Sequence, residues 1–153
     1  MDSSILQKLP PAICHGGEVE QARNGVYTLT DVFQRVKEQT DNHGILYVNE
    51  EGHEQYRSYD ELVGEAGRML SGLRGLGLKA GDKVILQFDR QEDFVTVFWG
   101  CIIGGIVPVP MTTSKDYREK SNEASALYSV WEMLDKPVIL TSGTLERGLM
   151  EFS

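Results

Sequence analysis

Only two cysteines occur in the 153 residues, Cys14 and Cys101, too few and too far apart in sequence to suggest a disulfide framework. Cys14 is followed by His15, but no second pair of ligands follows at metal-site spacing, so no metal site is expected. Stability must come from a packed core, and a chain of 153 residues is long enough to bury one. Long hydrophobic runs are also missing. The most apolar stretch, from Val95 to Val109, is broken by Gly100, Gly104, Gly105 and Pro108, short of the roughly 18 residues a membrane helix needs. The start, Met1-Asp2-Ser3-Ser4-Ile5-Leu6, lacks the basic region and apolar core of a signal peptide, so a cytoplasmic protein is expected. Positive charge is scarce: 15 Lys and Arg against 23 Asp and Glu give a net charge of −8. With no basic cluster interleaved with aromatics, nucleic acid is excluded as a partner.

What is present reads as one globular domain, 41% hydrophobic and 25% charged. Residues 1–27, with Pro10-Pro11 and Gly16-Gly17 and little periodicity, are expected to form an irregular arm. From residue 28 onward the pattern is regular. Thr30 is placed to cap a helix carrying Val32, Phe33 and Val36 on one face, closed by a turn at Asp41-Asn42-His43-Gly44. Ile45–Val48 and Glu54–Arg57, separated by a segment containing Gly52, read as a β-hairpin with Gly52 at positive φ. Ser58 and Glu61 form a Ser-x-x-Glu capping box opening a helix with Leu62, Val63, Ala66, Met69, Leu70 and Leu73 on its buried face. Gly77 is placed to close that helix, and at least one of its interior glycines, Gly64, Gly67 or Gly72, is expected to permit close packing.

Lys83–Phe88 is a short apolar run behind a Gly-Asp turn, as expected of a buried parallel strand. Gln91–Gly104 is apolar on most sides and should be the most buried helix, with Phe98 and Ile102 in the core, Cys101 a buried thiol and Glu92 at the surface. Val107–Val109 is a strand that Pro108 assigns to an edge. A helix over Lys115–Leu134 should dock through Ala124, Leu127, Tyr128, Trp131 and Leu134. Val138–Thr141 is the last strand, with a helix starting at Ser142 or Thr144. This order predicts an α/β fold: a largely parallel sheet with helices on both faces, plus the hairpin.

Two glycine-rich stretches invite a nucleotide reading. Gly72-x-x-Gly75-x-Gly77 ends a helix, whereas a dinucleotide fingerprint must follow a strand and open one, so it reads as helix termination. Thr141-Ser142-Gly143-Thr144 is followed by Leu145-Glu146-Arg147-Gly148, so it lacks the lysine that neutralises a triphosphate and carries a repelling carboxylate. It reads as a helix cap after a strand. Glu18-Val19-Glu20 and Glu50-Glu51 read as solvated surface, His43 and His53 as surface turn residues, and no catalytic triad is supported by spacing. No catalytic, cofactor-binding or metal-ligating residue is assigned.

Three segments, Tyr59-Asp60-Glu61-Leu62, Gly81-Asp82-Lys83-Val84 and Gly100 to Pro110, resemble in order and spacing the opening third of the adenylate-forming (AMP-binding) enzymes. That family includes acyl-CoA synthetases, fatty-acyl ligases and adenylation domains of nonribosomal peptide synthetases, and the resemblance covers Leu29 to Thr141. The Val107-Pro108-Val109-Pro110 ending is more similar to fatty-acyl ligases and the acyl-loading domains of hybrid polyketide and peptide synthases than to amino-acid-activating domains. The resemblance implies an N-terminal α/β subdomain over 28–153, ending before the family's phosphate loop, Thr-Ser-Gly-Thr-Thr-Gly-x-Pro-Lys-Gly. It also implies a parent enzyme that uses ATP and Mg to convert a carboxylic acid to its acyl-adenylate, then transfers it to a phosphopantetheine thiol on a carrier protein or CoA. This segment alone should be inactive and hold no cofactor. Its implied partners are the remainder of the adenylation domain, the carrier or CoA, and a second copy through an exposed sheet edge near Val107–Val109 or Val138–Leu140. Two alternatives stand beside this: a noncatalytic docking or dimerisation module of the same fold, and an unrelated small α/β binding domain.

Overall fold

The computed structural model describes residues 26–38, 43–49, 51–114, 117 and 121–150. The expected arm lies almost entirely outside the described residues, as do Cys14, His15, Asp41 and Asn42. The first helix, α1 (Leu29–Glu38), opens two residues earlier than Thr30 would place it. Thr28 is the cap: its hydroxyl accepts from the Asp31 amide at 3.1 Å, and the Asp31 carboxylate accepts from the Thr28 and Tyr27 amides at 2.8 and 3.0 Å. Thr28 has a carboxylate three residues ahead to complete the reciprocal pair and Thr30 does not, which decides between two otherwise equivalent threonines.

Strands β1 (Gly44–Val48) and β2 (Glu54–Ser58) form the expected antiparallel hairpin, with Leu46 opposite Tyr56. Gly52 takes φ +81° in its turn. Helix α2 (Tyr59–Gly75) carries the full capping box: Ser58 accepts from the Glu61 amide while Glu61 accepts from the Ser58 amide at 2.9 Å. It ends in a Schellman motif. The Leu78 amide donates to the Leu73 carbonyl at 3.1 Å and the Gly77 amide to the Arg74 carbonyl at 2.9 Å, with Gly77 at φ +87°.

The sheet contains β3 (Lys83–Gln87), β4 (Val107–Pro110) and β5 (Val138–Thr141), all parallel in the order β4-β3-β5. Helix α3 (Gln91–Ile103) connects β3 to β4, and α4 (Asn122–Met133) carries the chain back across to β5. Because the two connections run in opposite directions along the sheet, right-handed crossovers put their helices on opposite faces. The core obeys this. Val84 and Leu86 pack with Leu73, Val97, Cys101 and Ile106 on the face covered by α2 and α3, while Ile85 packs with Leu127 and Tyr117 on the other, flanked by Val109 and Ile139. A third cluster joins Phe33, Leu62 and Ala66, with Ile45 and Trp99 against it, so α1 and the hairpin are anchored on the outer side of α2 and α3.

Several expectations are corrected. A Cβ on Gly67 or Gly72 would meet nothing within 4 Å, and one on Gly64 only the end of the Arg68 side chain, so none of these permits a close approach. The close approach belongs to α3. A Cβ on Gly100 would lie 2.9 Å from Met69 Cγ and 3.3 Å from the Ala66 carbonyl of α2, and one on Gly104 would collide with the Leu70 side chain. Within α3 the fully buried positions are Val97, Gly100 and Cys101; Phe98 packs against the core half-buried, and Ile102 belongs to no core cluster. The Glu92 side chain is only 16% exposed, so it is not a surface position. Helix α4 begins at Asn122 under a Ser121 cap rather than near Lys115, and Tyr128 faces outward. Between α4 and β5, Asp135 and Lys136 both take positive φ, at 64° and 57°, which reverses the chain within a short turn. The final helix, α5 (Gly143–Met150), starts as expected directly after β5.

Candidate functional site

In an open parallel sheet the strand carboxyl ends face a crevice where the strand order reverses, and ligands of such folds bind there. Here that reversal is at β3, with β4 and β5 departing to either side. Two polar clusters occupy this edge. Gln87 ends β3 at 0% exposure, and its Nε2 donates to the Thr112 carbonyl at 2.8 Å while its Oε1 accepts from the Tyr117 hydroxyl. The Ser114 amide donates to the same Tyr117 oxygen at 3.3 Å, and Ser114 and Ser121 share a hydroxyl hydrogen bond at 3.0 Å. Ser121 accepts from the Ala124 amide at the start of α4. The central strand is thus tied to the β4–α4 connection by these side chains as well as by the Met111 amide, which donates to the Leu86 carbonyl at 3.0 Å. Burial pushes the Tyr117 phenol up, so it stays a neutral donor.

The second cluster contains the Thr141-Ser142-Gly143-Thr144 stretch. Its hydroxyls do not converge on open space: Ser142 and Thr144 donate to the two oxygens of Asp89, each at 2.6 Å. These bonds hold the Asp89 carboxyl below the ordinary carboxylate range. An anionic phosphate brought to the start of α5 would meet a carboxylate already accepting those donors, with Glu146 in the first turn. The residues present therefore do not fit a triphosphate, and the stretch is the helix start after a strand that its spacing implied.

The Asp89 bonds give a pH-dependent contribution. A carboxyl with a lowered folded pKa stabilises the fold above its unfolded value, about 3.9, and that stabilisation is lost as pH falls through the folded value. Replacing Asp89 with Asn should lower stability at neutral pH and shrink the difference from wild type in strong acid. Urea midpoints measured across the acid range check this; parallel pH profiles for the two proteins would refute it.

A second cleft, about 530 Å³, lies between the hairpin and the start of α3, lined by Tyr47, Asn49, Gln55, Asp89, Arg90 and Glu92 among others. Arg57 anchors the hairpin beside it, pairing with Glu65 at 2.8 Å and donating to Thr96 at 2.9 Å. His53 is exposed, its ring nitrogen 3.2 Å from Glu51. Among the described residues no group of three or more His, Cys, Asp or Glu is arranged to hold a metal, and no helix is long and apolar enough to cross a membrane. Cys101 is buried and its thiol is pushed up to about 11 by desolvation, leaving it inert. Sequence reasoning missed Gln87, Asp89 and Tyr117. The one available signal was a polar residue closing an otherwise apolar strand.

The sequence profile of the AMP-binding enzyme family matches residues 32–122. The chain belongs to that family. Over 124 residues it is 34% identical to 4-hydroxybutyrate–CoA ligase 1 of Metallosphaera sedula, an alignment covering 79% of this chain and 21% of the relative. It superposes on the solved McyG A-PCP complexed with phenylalanyl-adenylate with a TM-score of 0.82 at 35% identity, covering 90% of this chain and 24% of that one. An adenylation domain of a keto acid-selecting NRPS module, bound to keto acyl adenylate, aligns at a TM-score of 0.78 and 37% identity, covering 84% and 23%. The chain thus spans less than a quarter of the length of each of these relatives. Its parallel sheet, flanking helices and hairpin are those of the N-terminal subdomain of adenylate-forming enzymes.

Proposed function

We propose that residues 28–153 act as the N-terminal scaffold subdomain of an enzyme that activates a carboxylic acid with Mg·ATP and passes the acyl group to a phosphopantetheine thiol. The single observation carrying this is the family match over the segment that builds α1 to β4, the part of the fold that sets the crossover and the packed helix pair. In the parent reaction a carboxylate oxygen attacks the α-phosphate, pyrophosphate leaves, and the thiol then displaces AMP. The 35% and 37% identities to McyG A-PCP and to the keto acid-selecting domain support an adenylation domain working beside a carrier, while the 34% identity to a CoA ligase supports CoA as the other acceptor. We read the parent as an acyl-loading domain on the Val107-Pro108-Val109-Pro110 ending.

This subdomain alone supplies no chemistry on that reading. Leu145-Glu146-Arg147-Gly148, directly after the Thr141–Thr144 stretch, hold no lysine to neutralise pyrophosphate, and the Ser142 and Thr144 hydroxyls are committed to Asp89. The 153-residue chain should show no acid-dependent ATP–pyrophosphate exchange. Substituted for the matching segment of a keto acid-selecting adenylation domain, residues 28–153 should preserve that enzyme's exchange. A folded chimera without exchange, or exchange by the isolated chain that a substitution within it abolishes, would overturn the proposal.

A further inference from the structure

Gln87 is out of keeping with the strand that carries it. Val84, Ile85 and Leu86 are apolar and buried, and Gln87 follows them at 0% exposure. A buried amide whose bonds replace those it made to water adds little net stability, and an apolar side chain of the same size would fill the position about as well. What the amide does add is direction. Its Nε2 donates to the Thr112 carbonyl and its Oε1 accepts from the Tyr117 hydroxyl, so one side chain fixes the β4–α4 connection at two points. The Tyr117 oxygen in turn accepts from the Ser114 amide at 3.3 Å. Helix α5 lies against the same ring, where a Cβ on Gly148 would sit 2.8 Å from Tyr117 Cδ2. The segments that follow all three strands therefore meet at this pair.

We propose that Gln87 and Tyr117 are positioning residues for the activation reaction, holding Met111 to Ser114 as the wall of the crossover crevice that meets the carboxylic acid. The inference rests on the adenylation reading above. In an open parallel sheet the crevice at the strand carboxyl ends is where a ligand lies. Its two sides differ in charge. On the β5 side, Asp89 and Glu146 oppose an anionic phosphate. On the β4 side, Met111, Thr112, Thr113 and Ser114 carry no charge, with Thr112 exposed and Met111 and Thr113 half-buried. A wall of one thioether and several hydroxyls suits the uncharged end of an acid and offers nothing to neutralise a triphosphate. Gln87 and Tyr117 are themselves buried, so they act on the acid only through the backbone of Thr112 and Ser114.

Acid-dependent ATP–pyrophosphate exchange by the chimera carrying residues 28–153 tests this, with Gln87→Leu, Tyr117→Phe and the two combined. Either single change leaves a buried polar partner unmatched, so it should lower the urea midpoint and also raise the KM for the acid about tenfold, the effect of one lost hydrogen bond. The KM for ATP should stay unchanged. The double variant separates position from stability. Removing the amide and the hydroxyl together relieves the unmatched pair and should recover part of the midpoint, but with both anchors gone the acid KM should stay raised. Circular dichroism establishes that each variant is folded; if Gln87→Leu is not, Tyr117→Phe decides. An acid KM unchanged in folded variants, one that returns with the midpoint in the double variant, or an equal rise in the KM for ATP would each overturn the proposal. Those outcomes leave the adenylation reading standing, whereas a folded, unsubstituted chimera without exchange removes both.

Discussion

Gly100→Val should unfold the chain or cost it about 3 kcal/mol or more, at the top of the range for overpacking a core. The first atom of any side chain at 100 lies 2.9 Å from Met69 Cγ, 3.0 Å from Met69 Cβ and 3.3 Å from the Ala66 carbonyl. Two of these neighbours cannot swing away, because Met69 Cβ and the Ala66 carbonyl are fixed by the α2 backbone. Relief therefore requires α2 and α3 to separate, which loosens Leu73, Val97 and Cys101 together. Gly104→Ala is the instructive comparison. Its collision is with the far end of the Leu70 side chain, which can adopt another rotamer, so its cost should be clearly smaller. Denaturant midpoints for the two variants check the ranking. Equal, small effects would mean that the helix pair is not packed as described.

Leu86→Ala should destabilise the fold by about 2–5 kcal/mol, through lost burial and the cavity left behind. Leu86 is 1% exposed on the central strand, paired to Pro110 on one side and Leu140 on the other, with α2 and α3 above it. Strands held by two neighbours relax least into a cavity, which favours the upper part of that range. Phe98→Ala should cost less than Leu86→Ala although it removes more atoms, because Phe98 is already partly solvated. Gln91→Ala, on an exposed residue, should stay within about 0.5 kcal/mol. Urea unfolding that ranks Phe98→Ala above Leu86→Ala would place the core on the wrong side of α3.

Local signals carried most of the fold. Ser58 with Glu61, Gly52, Gly77 and Pro108 each act through their own backbone or through residues three or four away, so spacing alone defines their roles. The Thr28 cap is set by Asp31, also three residues on, so its spacing makes it legible in the same way. Other positions depended on partners that no window contains. Gly64 and Gly100 look alike as helix glycines, and only the identity of the helix packed against each separates an idle one from a required one. Ile102 sits in a helix apolar on most sides, where periodicity gives no phase and tertiary placement alone picks the buried face. The crevice clusters are further removed: Gln87 meets Tyr117, and Asp89 meets Ser142 and Thr144, across whole crossover units. Their chemistry is ordinary, a buried amide and a hydrogen-bonded carboxylate, but their adjacency is a property of the topology.

The reversal of strand order at β3 also orders assembly in time. Pairing Val84 with Pro108 closes the loop through α3, while pairing Val84 with Val138 closes one more than twice as long, and each doubling of a flexible loop adds about 0.6 kcal/mol of entropy loss. Sequence separation therefore rises at the last strand, and β3, α3 and β4 are expected to pair before β5 is added. The strand that joins last is also, among the described residues, the edge strand that holds no proline. During refolding, β5 should then be the last of the three described parallel strands to find β3.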